Sequence, residues 1–89
     1  MFSLATIVTS KTRLHVLELF ILHPDIELGV RETARKLDSN PMLVRNELLL
    51  LATAGILKSR RVANSIQYSL NTGCEAVGPL RQLLEAAHE

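Results

Sequence analysis

Residues 30–55, VRETARKLDSNPMLVRNELLLLATAG, restrict the fold more than any other stretch of the chain. Val30, Ala34 and Leu37 recur at i, i+4 and i+7, which places them on one face of a short helix over 30–37. Arg31, Glu32, Arg35 and Lys36 then stay in water. The turn that follows, Asp38-Ser39-Asn40, is only three residues long. Asn40 is a good N-cap and Pro41 suits a first helical position, where its missing N–H costs nothing. A second helix therefore starts at Pro41 and runs to about Ala54, and Gly55 stops it. Two helices joined by so short a turn cross steeply and share one core face.

The flanking segments complete an order of elements. Ser10 can cap a helix through SKTRLHVLELFILH, and Pro24 with Asp25 end it. That helix is apolar over most of its circumference, which predicts a central position. IELG (26–29) is too short for an independent strand but can pair at a sheet edge. ILKSRR (56–61) and IQYSL (66–70) read as two strands, joined by VANS, with Asn64 tolerating a left-handed backbone. A last helix is expected over about 74–88, with Val77, Leu80, Leu83, Leu84 and Ala87 at helical spacing. The order predicts a mainly α domain with a small β-hairpin, a winged helix-turn-helix. One domain over 1–89 is expected, with its core over about 10–71 and terminal segments, 1–9 and 73–89, left for dimerisation.

Several function classes receive no support. Cys74 is the only cysteine, so no intrachain disulfide can form, and His15, His23 and His88 are scattered. Neither a metal nor another cofactor is expected. No apolar run approaches the ~20 residues of a membrane helix. No basic residue precedes the apolar start, so no signal peptide is expected, and the reading is cytoplasmic. No Gly-rich phosphate loop or G-x-S-x-G elbow occurs, and Asp25/Glu27 is a lone acidic pair. An enzyme is not expected.

The segment VRETARKLDSNPMLVRNELLLLATAGILKSRRVANSIQYSL resembles the winged-helix core of ArsR-type (arsenical-repressor-like) prokaryotic and archaeal regulators. The resemblance is carried by Ala34, Leu37, Val44, Leu48, Leu51, Gly55, Ile56, Leu57, Arg61, Tyr68 and Leu70, and covers about residues 10–71. It implies a homodimeric DNA-binding repressor with the 41–54 helix in the major groove and the hairpin on the flanking backbone. Metal-sensing members carry a Cys-x-Cys pair or a His/Asp cluster, and this chain has neither. The resemblance also implies terminal helices that pair across a twofold axis. Leu4, Ile7, Val77, Leu80, Leu83 and Leu84 are the candidate dimer contacts, since leaving such stripes wet costs on the order of 25 cal/mol per Å².

Charge and helical phase select the candidate DNA contacts. Residues 31–61 hold seven basic and three acidic residues, net +4, and the rest of the chain holds three basic and six acidic, net −3. A basic middle between acidic ends is the asymmetry of a nucleic-acid footprint. With Val44 at zero on a wheel of about 100° per residue, Leu48 and Leu51 fall beside it as the core stripe. Leu43, Leu50 and Ala54 form a flank, and Met42, Arg45, Asn46, Leu49 and Thr53 form the outward face. Arg45 can pair with guanine and Asn46 with adenine. Ser39 and Asn40 can reach phosphates, as can Lys58, Arg60, Arg61 and Asn64 on the hairpin and Arg31, Arg35 and Lys36 on the preceding helix. About six neutralised phosphates give a salt slope of roughly −5 for each half of a dimer. Met42 and Leu49 fit thymine methyl groups or a protein surface equally. The second reading is therefore a winged-helix protein-interaction module without DNA binding. Operator, regulated genes and any small-molecule effector are not legible.

Overall fold

The computed structural model describes residues 11–87. The elements are α1 (Lys11–Leu22), β1 (Glu27–Leu28), α2 (Val30–Leu37), α3 (Pro41–Thr53), β2 (Leu57–Val62), β3 (Ser65–Leu70) and α4 (Val77–Ala87). Ser10, Leu4, Ile7 and His88, each singled out from the sequence, lie outside the described residues.

Helix α1 is the centre of the molecule, as its nearly continuous apolar surface predicts. Val16 and Phe20 have no exposed surface, Ile21 has 1%, and α2, α3, α4 and β3 all pack on the helix. Leu14, Leu19 and Leu22 are half-buried at the edges of the same cluster. Helix α3 meets α1 through Val44, Leu48 and Leu51, which are 0%, 0% and 3% exposed. Leu43 and Leu50, on the adjacent flank, stay exposed. Helix α2 contributes Ala34 and Thr33. Thr33 is fully buried, and its hydroxyl is satisfied by donating to the Gly29 carbonyl at 2.8 Å. This is how a buried polar group avoids an unmet desolvation cost.

Local chemistry fixes the boundaries. Asn40 caps α3: its side-chain oxygen accepts from the N–H of Met42 at 2.8 Å and of Leu43 at 3.4 Å. At the end of α2, Asp38 turns left-handed, φ 51°, and the Ser39 N–H closes back on the Ala34 carbonyl at 2.9 Å. That reversal directs the chain into α3. Gly55 ends α3 with φ 83°, a region that side-chain-bearing residues avoid. Gly29, before α2, permits a close approach. A Cβ there would sit 3.2 Å from the Gln67 amide nitrogen and 3.4 Å from the Ile66 carbonyl oxygen.

The sheet has the order β1-β3-β2, all antiparallel. The two-residue segment Glu27–Leu28 takes the sheet edge expected of IELG, pairing Glu27 with Ser69 and Leu28 with Tyr68. The hairpin is longer and tighter than read from sequence. Val62 pairs with Ser65, which leaves only Ala63 and Asn64 in the turn. The left-handed residue is Ala63, φ 55°, and not Asn64. A positive φ confined to the first of two central residues follows the II′ turn, whose twist matches the strands.

The last helix corrects the expectation that the C-terminal stripe is left for a second copy. Val77 and Leu84 are 5% and 4% exposed and belong to the same core as α1, with Leu80 packed against it half-buried. The core therefore extends past residue 71 into α4. Leu83, at 55% exposure, is the large apolar side chain that α4 leaves in water.

Two backbone substitutions test these turns. Gly55→Ala adds a Cβ with nothing within 4 Å, so its cost is conformational alone. A loss of about 1 kcal/mol is expected, the left-handed penalty less the entropy gained in the unfolded chain. Ala63→Gly relieves the same penalty and raises stability by up to about 1 kcal/mol, or a midpoint rise of roughly 4–8 °C per kcal/mol. Thermal unfolding measures both, and a destabilised Ala63→Gly contradicts the turn described.

Candidate nucleic-acid interface

The burial of Val44, Leu48 and Leu51 decides which side chains of α3 point outward. Met42 is 70% exposed and Leu49 42%, and Arg45, Asn46 and Thr53 are exposed on the same side. The fourth polar position, Glu47, is turned away toward α1. Its carboxylate accepts from the Arg13 guanidinium at 2.7 Å and 3.5 Å. The outward face of α3 consequently carries one cation, Arg45, and no acid. The Thr53 hydroxyl is spent inside the helix, donating to the Leu49 carbonyl at 2.8 Å.

The hairpin divides its basic residues between two sides. Leu57 pairs with Leu70 and Ser59 with Tyr68, and Leu57, Tyr68 and Leu70 are buried. Residues directly opposite on antiparallel strands share a face. Arg61, opposite Ile66, is therefore on the side of the helices, and Lys58 and Arg60 are on the other. On that other side Arg60 has a partner. Its guanidinium donates twice to the Glu27 carboxylate, at 2.7 Å each, across the width of β3. The hydrogen bond from Arg60, followed by the attraction of Arg60 and Lys58, holds the Glu27 carboxyl below its ordinary 4.5, with desolvation opposing. Arg60 is correspondingly raised, by the hydrogen bond first and the charge second.

Between α3, the start of α2 and the hairpin lies a groove of about 440 Å³. Arg31 and Arg45 supply its positive charge, Glu32 an opposing one, and Leu49 and Ile66 face it from opposite walls. A second, polar cleft of about 540 Å³ on the outer side of the sheet includes Asp25, Glu27, Lys58 and Arg60. The structure thus brings Arg31 and Arg45 together and separates them from Lys58 and Arg60. Arg35 is exposed on α2, Arg61 on β2 and Asn64 at the hairpin tip. Ser39 and Asn40 sit at the α2–α3 turn with internal duties. The Ser39 hydroxyl donates to the Leu37 carbonyl at 3.2 Å. The Asn40 oxygen caps α3, which leaves its amide N–H groups as donors.

Comparison with known proteins gives structures and no sequences. No protein-family profile and no curated protein matches the chain. Among solved structures, reduced HlyU from Vibrio cholerae superposes with a TM-score of 0.67 at 24% identity, over 90% of this chain and 79% of that one. The winged helix-turn-helix DNA-binding domain of Mb0332 from Mycobacterium bovis, described as homodimeric and as a possible ArsR-family transcriptional regulator, gives 0.66 at 22% identity. That match covers 91% of this chain and 70% of the other. The ferric uptake regulator from Francisella tularensis gives 0.67 at 24%, over 74% of this chain and 55% of that one. The chain has the winged helix-turn-helix fold. The resemblance to ArsR-type regulators in the sequence and the Mb0332 neighbour agree on that fold. In this fold α2 and α3 form the helix-turn-helix and β2–β3 the wing.

Sequence reasoning missed Glu27, Glu32 and Ile66. Ile66 had a signal, since it shares strand parity with Tyr68 and Leu70 yet lies nearer the tip of the wing. Glu27 had none: it meets Arg60 across 33 positions of sequence, by sheet register alone. Among the described residues, no group of three or more His, Cys, Asp or Glu is placed to hold a metal.

The Glu27–Arg60 pair makes a pH prediction. A carboxyl lowered in the folded state stabilises above its unfolded value of 4.5 and loses that contribution as pH falls through the folded value. Any stability gap between the wild type and Glu27→Gln is therefore constant from pH 6 to 8 and closes in acid. Urea unfolding at pH 3 and pH 7 measures it, and a gap that widens in acid contradicts the pairing.

Proposed function

We propose that the chain binds double-stranded DNA sequence-specifically as a homodimeric transcriptional regulator, of the repressor type that the sequence resemblance implies. In this reading α3 enters the major groove and the wing lies on the adjacent backbone. The observation that carries it is the groove between α3 and the wing, with Arg31 and Arg45 on its rim and an outward α3 face that holds no acid. The capped N-terminal turns of a recognition helix are where side chains reach base edges. Arg45 and Asn46 are in those turns, with Met42 beside them. Arg31, Lys58 and Arg61 contact phosphates, with Arg35 further along the duplex. Asn40 and Asn64 contribute uncharged donors, and Ser39 does so only by giving up its hydroxyl's bond to the Leu37 carbonyl. Arg60 contributes least, because Glu27 already neutralises it.

Four phosphate-facing cations, Arg31, Arg35, Lys58 and Arg61, give a salt slope of roughly −3.5 per half-site, shallower than a simple count of basic residues implies. Arg61→Ala is expected to weaken duplex binding and flatten the slope by about 1, with Arg60→Ala changing it less. Arg45→Ala is expected to cost about 1–3 kcal/mol at one base position. Titrations of a selected duplex at several salt concentrations measure these. Binding unchanged in both Arg45→Ala and Arg61→Ala sinks the proposal.

The homodimer rests on what α4 leaves uncovered. Leu83 and the half-buried Leu80 face out, and Val77 and Leu84 support them from the core. Leu4 and Ile7, outside the described residues, are proposed as further dimer contacts on the sequence resemblance alone. A twofold dimer prefers a pseudo-palindromic operator. Leu83→Asp is expected to shift sedimentation toward a 9.9 kDa monomer with the fold retained. A dimer undisturbed by it removes α4 from the interface.

One observation favours a second reading. Met42, Leu43, Leu49 and Leu50 are all exposed on one helix, which suits a protein partner. A protein complex abolished by Leu50→Asp, in a chain that binds no duplex, supports that module. No helix among the described residues is long and apolar enough to cross a membrane.

A further inference from the structure

Leu49 stands as a ridge between two depressions on α3. On one side it walls the groove shared with Arg31, Arg45 and Ile66. On the other it borders a shallow surface with Asn46, Leu50 and Thr53. Its 42% exposure puts an isobutyl group between the two side chains best suited to read base edges, Arg45 and Asn46. Met42, seven residues earlier and 70% exposed, lies on nearly the same line of the helix. The outward polar groups nearby cannot satisfy Leu49 or Met42, and neither side chain can donate or accept a strong hydrogen bond.

Resting on the DNA-binding reading, we propose that Leu49 and Met42 are specificity-determining residues that select thymine through its C5-methyl group. The occupant is set by charge and by chemistry. The outward α3 face carries Arg45 and no acid, its acid Glu47 being held by Arg13, and Arg31 lies across the groove. Those cations fit a polyanion. Within the major groove, the thymine methyl is the apolar feature that such a side chain can cover. The two contacts have a defined spacing. Seven residues at a rise of about 1.5 Å separate Leu49 from Met42 by about 10.5 Å along the helix axis. At about 3.4 Å per base on a strand, that is at most about three base-pair steps, and about two for a helix inclined along the groove. Each half-site therefore holds two thymines about two to three steps apart, flanking the positions read by Arg45 and Asn46.

The test uses the full chain and a duplex selected by it from random sequence. Each thymine of a half-site is replaced in turn by deoxyuridine, which removes the methyl and leaves every base-pair hydrogen bond. One methyl taken out of water corresponds to about 0.8 kcal/mol, or about a fourfold change in affinity. The expected result is a loss of about fourfold at two positions, about two to three steps apart, and no loss elsewhere. In Leu49→Ala the sensitivity at one of them disappears, and in Met42→Ala the sensitivity at the other. A duplex with every thymine replaced that binds wild-type protein as tightly as the original overturns the inference and leaves the DNA-binding reading intact. So does an unchanged uridine profile in both variants. No selectable duplex at all, or loss of a protein complex alone in Leu49→Ala, overturns the inference together with the reading beneath it.

Discussion

The packing of α3 on α1 is the constraint on which the rest of this molecule depends. Val44, Leu48 and Leu51 close over a helix whose Val16 and Phe20 have no exposed surface. Aromatic residues make up only 3% of the chain, and the two described ones, Phe20 and Tyr68, are both in this core. Close-packed aliphatic contact, with little aromatic area to spare, leaves such a core sensitive to single lost methylenes. The same contact sets the rotation of α3 about its axis. Once three residues at i, i+4 and i+7 are buried, the phase of every other side chain on the helix follows. The outward face is in this sense a product of the core.

Much of this fold was legible because its punctuation is chemical. Asn40-Pro41 marks a helix start through a cap and a missing donor, and Gly55 marks an end through a backbone region open to glycine. Both features act within a few residues, so the chain alone exposes them. Alternation over Ile66, Tyr68 and Leu70 likewise announced a half-buried strand. The misreadings fall where the deciding force is not local. Ala63 takes the left-handed turn position because the register of β2 against β3 leaves two residues to reverse the chain. Asn64 has the better intrinsic propensity and does not occupy that position. The periodicity of α4 showed that one face must be covered. It could not show that α1 lies close enough to cover Val77 and Leu84.

The candidate site follows the same division. The outward set of Met42, Arg45, Asn46 and Leu49 comes from helical phase, and the structure places it as the wheel does. What composition could not reveal is which charges are already engaged. Net charge counts Arg60 and Glu47 at full value. In the folded chain Arg60 is held by Glu27 and Glu47 by Arg13. Both pairs join residues more than thirty positions apart. The two pairs have opposite consequences. One removes a negative charge from the neighbourhood of Arg45, and the other withdraws a positive charge from the wing. The positive charge that remains is spread over Arg31 and Arg45 at the groove and Lys58 and Arg61 on the hairpin.

The four successive leucines, Leu48 to Leu51, condense this division of labour. Leu48 and Leu51 serve the core with Val44, Leu50 remains on an exposed flank with Leu43, and Leu49 projects between Arg45 and Asn46. A helix with one outward arginine has little electrostatic attraction of its own. The cations around it lie on α2 and the wing, and in the proposed DNA-binding reading these are the ones that meet phosphates irrespective of sequence. That leaves the outward face of α3 to discriminate through few groups, two of them apolar. A desolvated methyl contact discriminates without requiring a charge. It also responds weakly to salt, whereas the surrounding arginines respond strongly. In that proposed reading affinity and selectivity fall to different parts of one small surface, with the phase of α3, set by its buried stripe, keeping them in register.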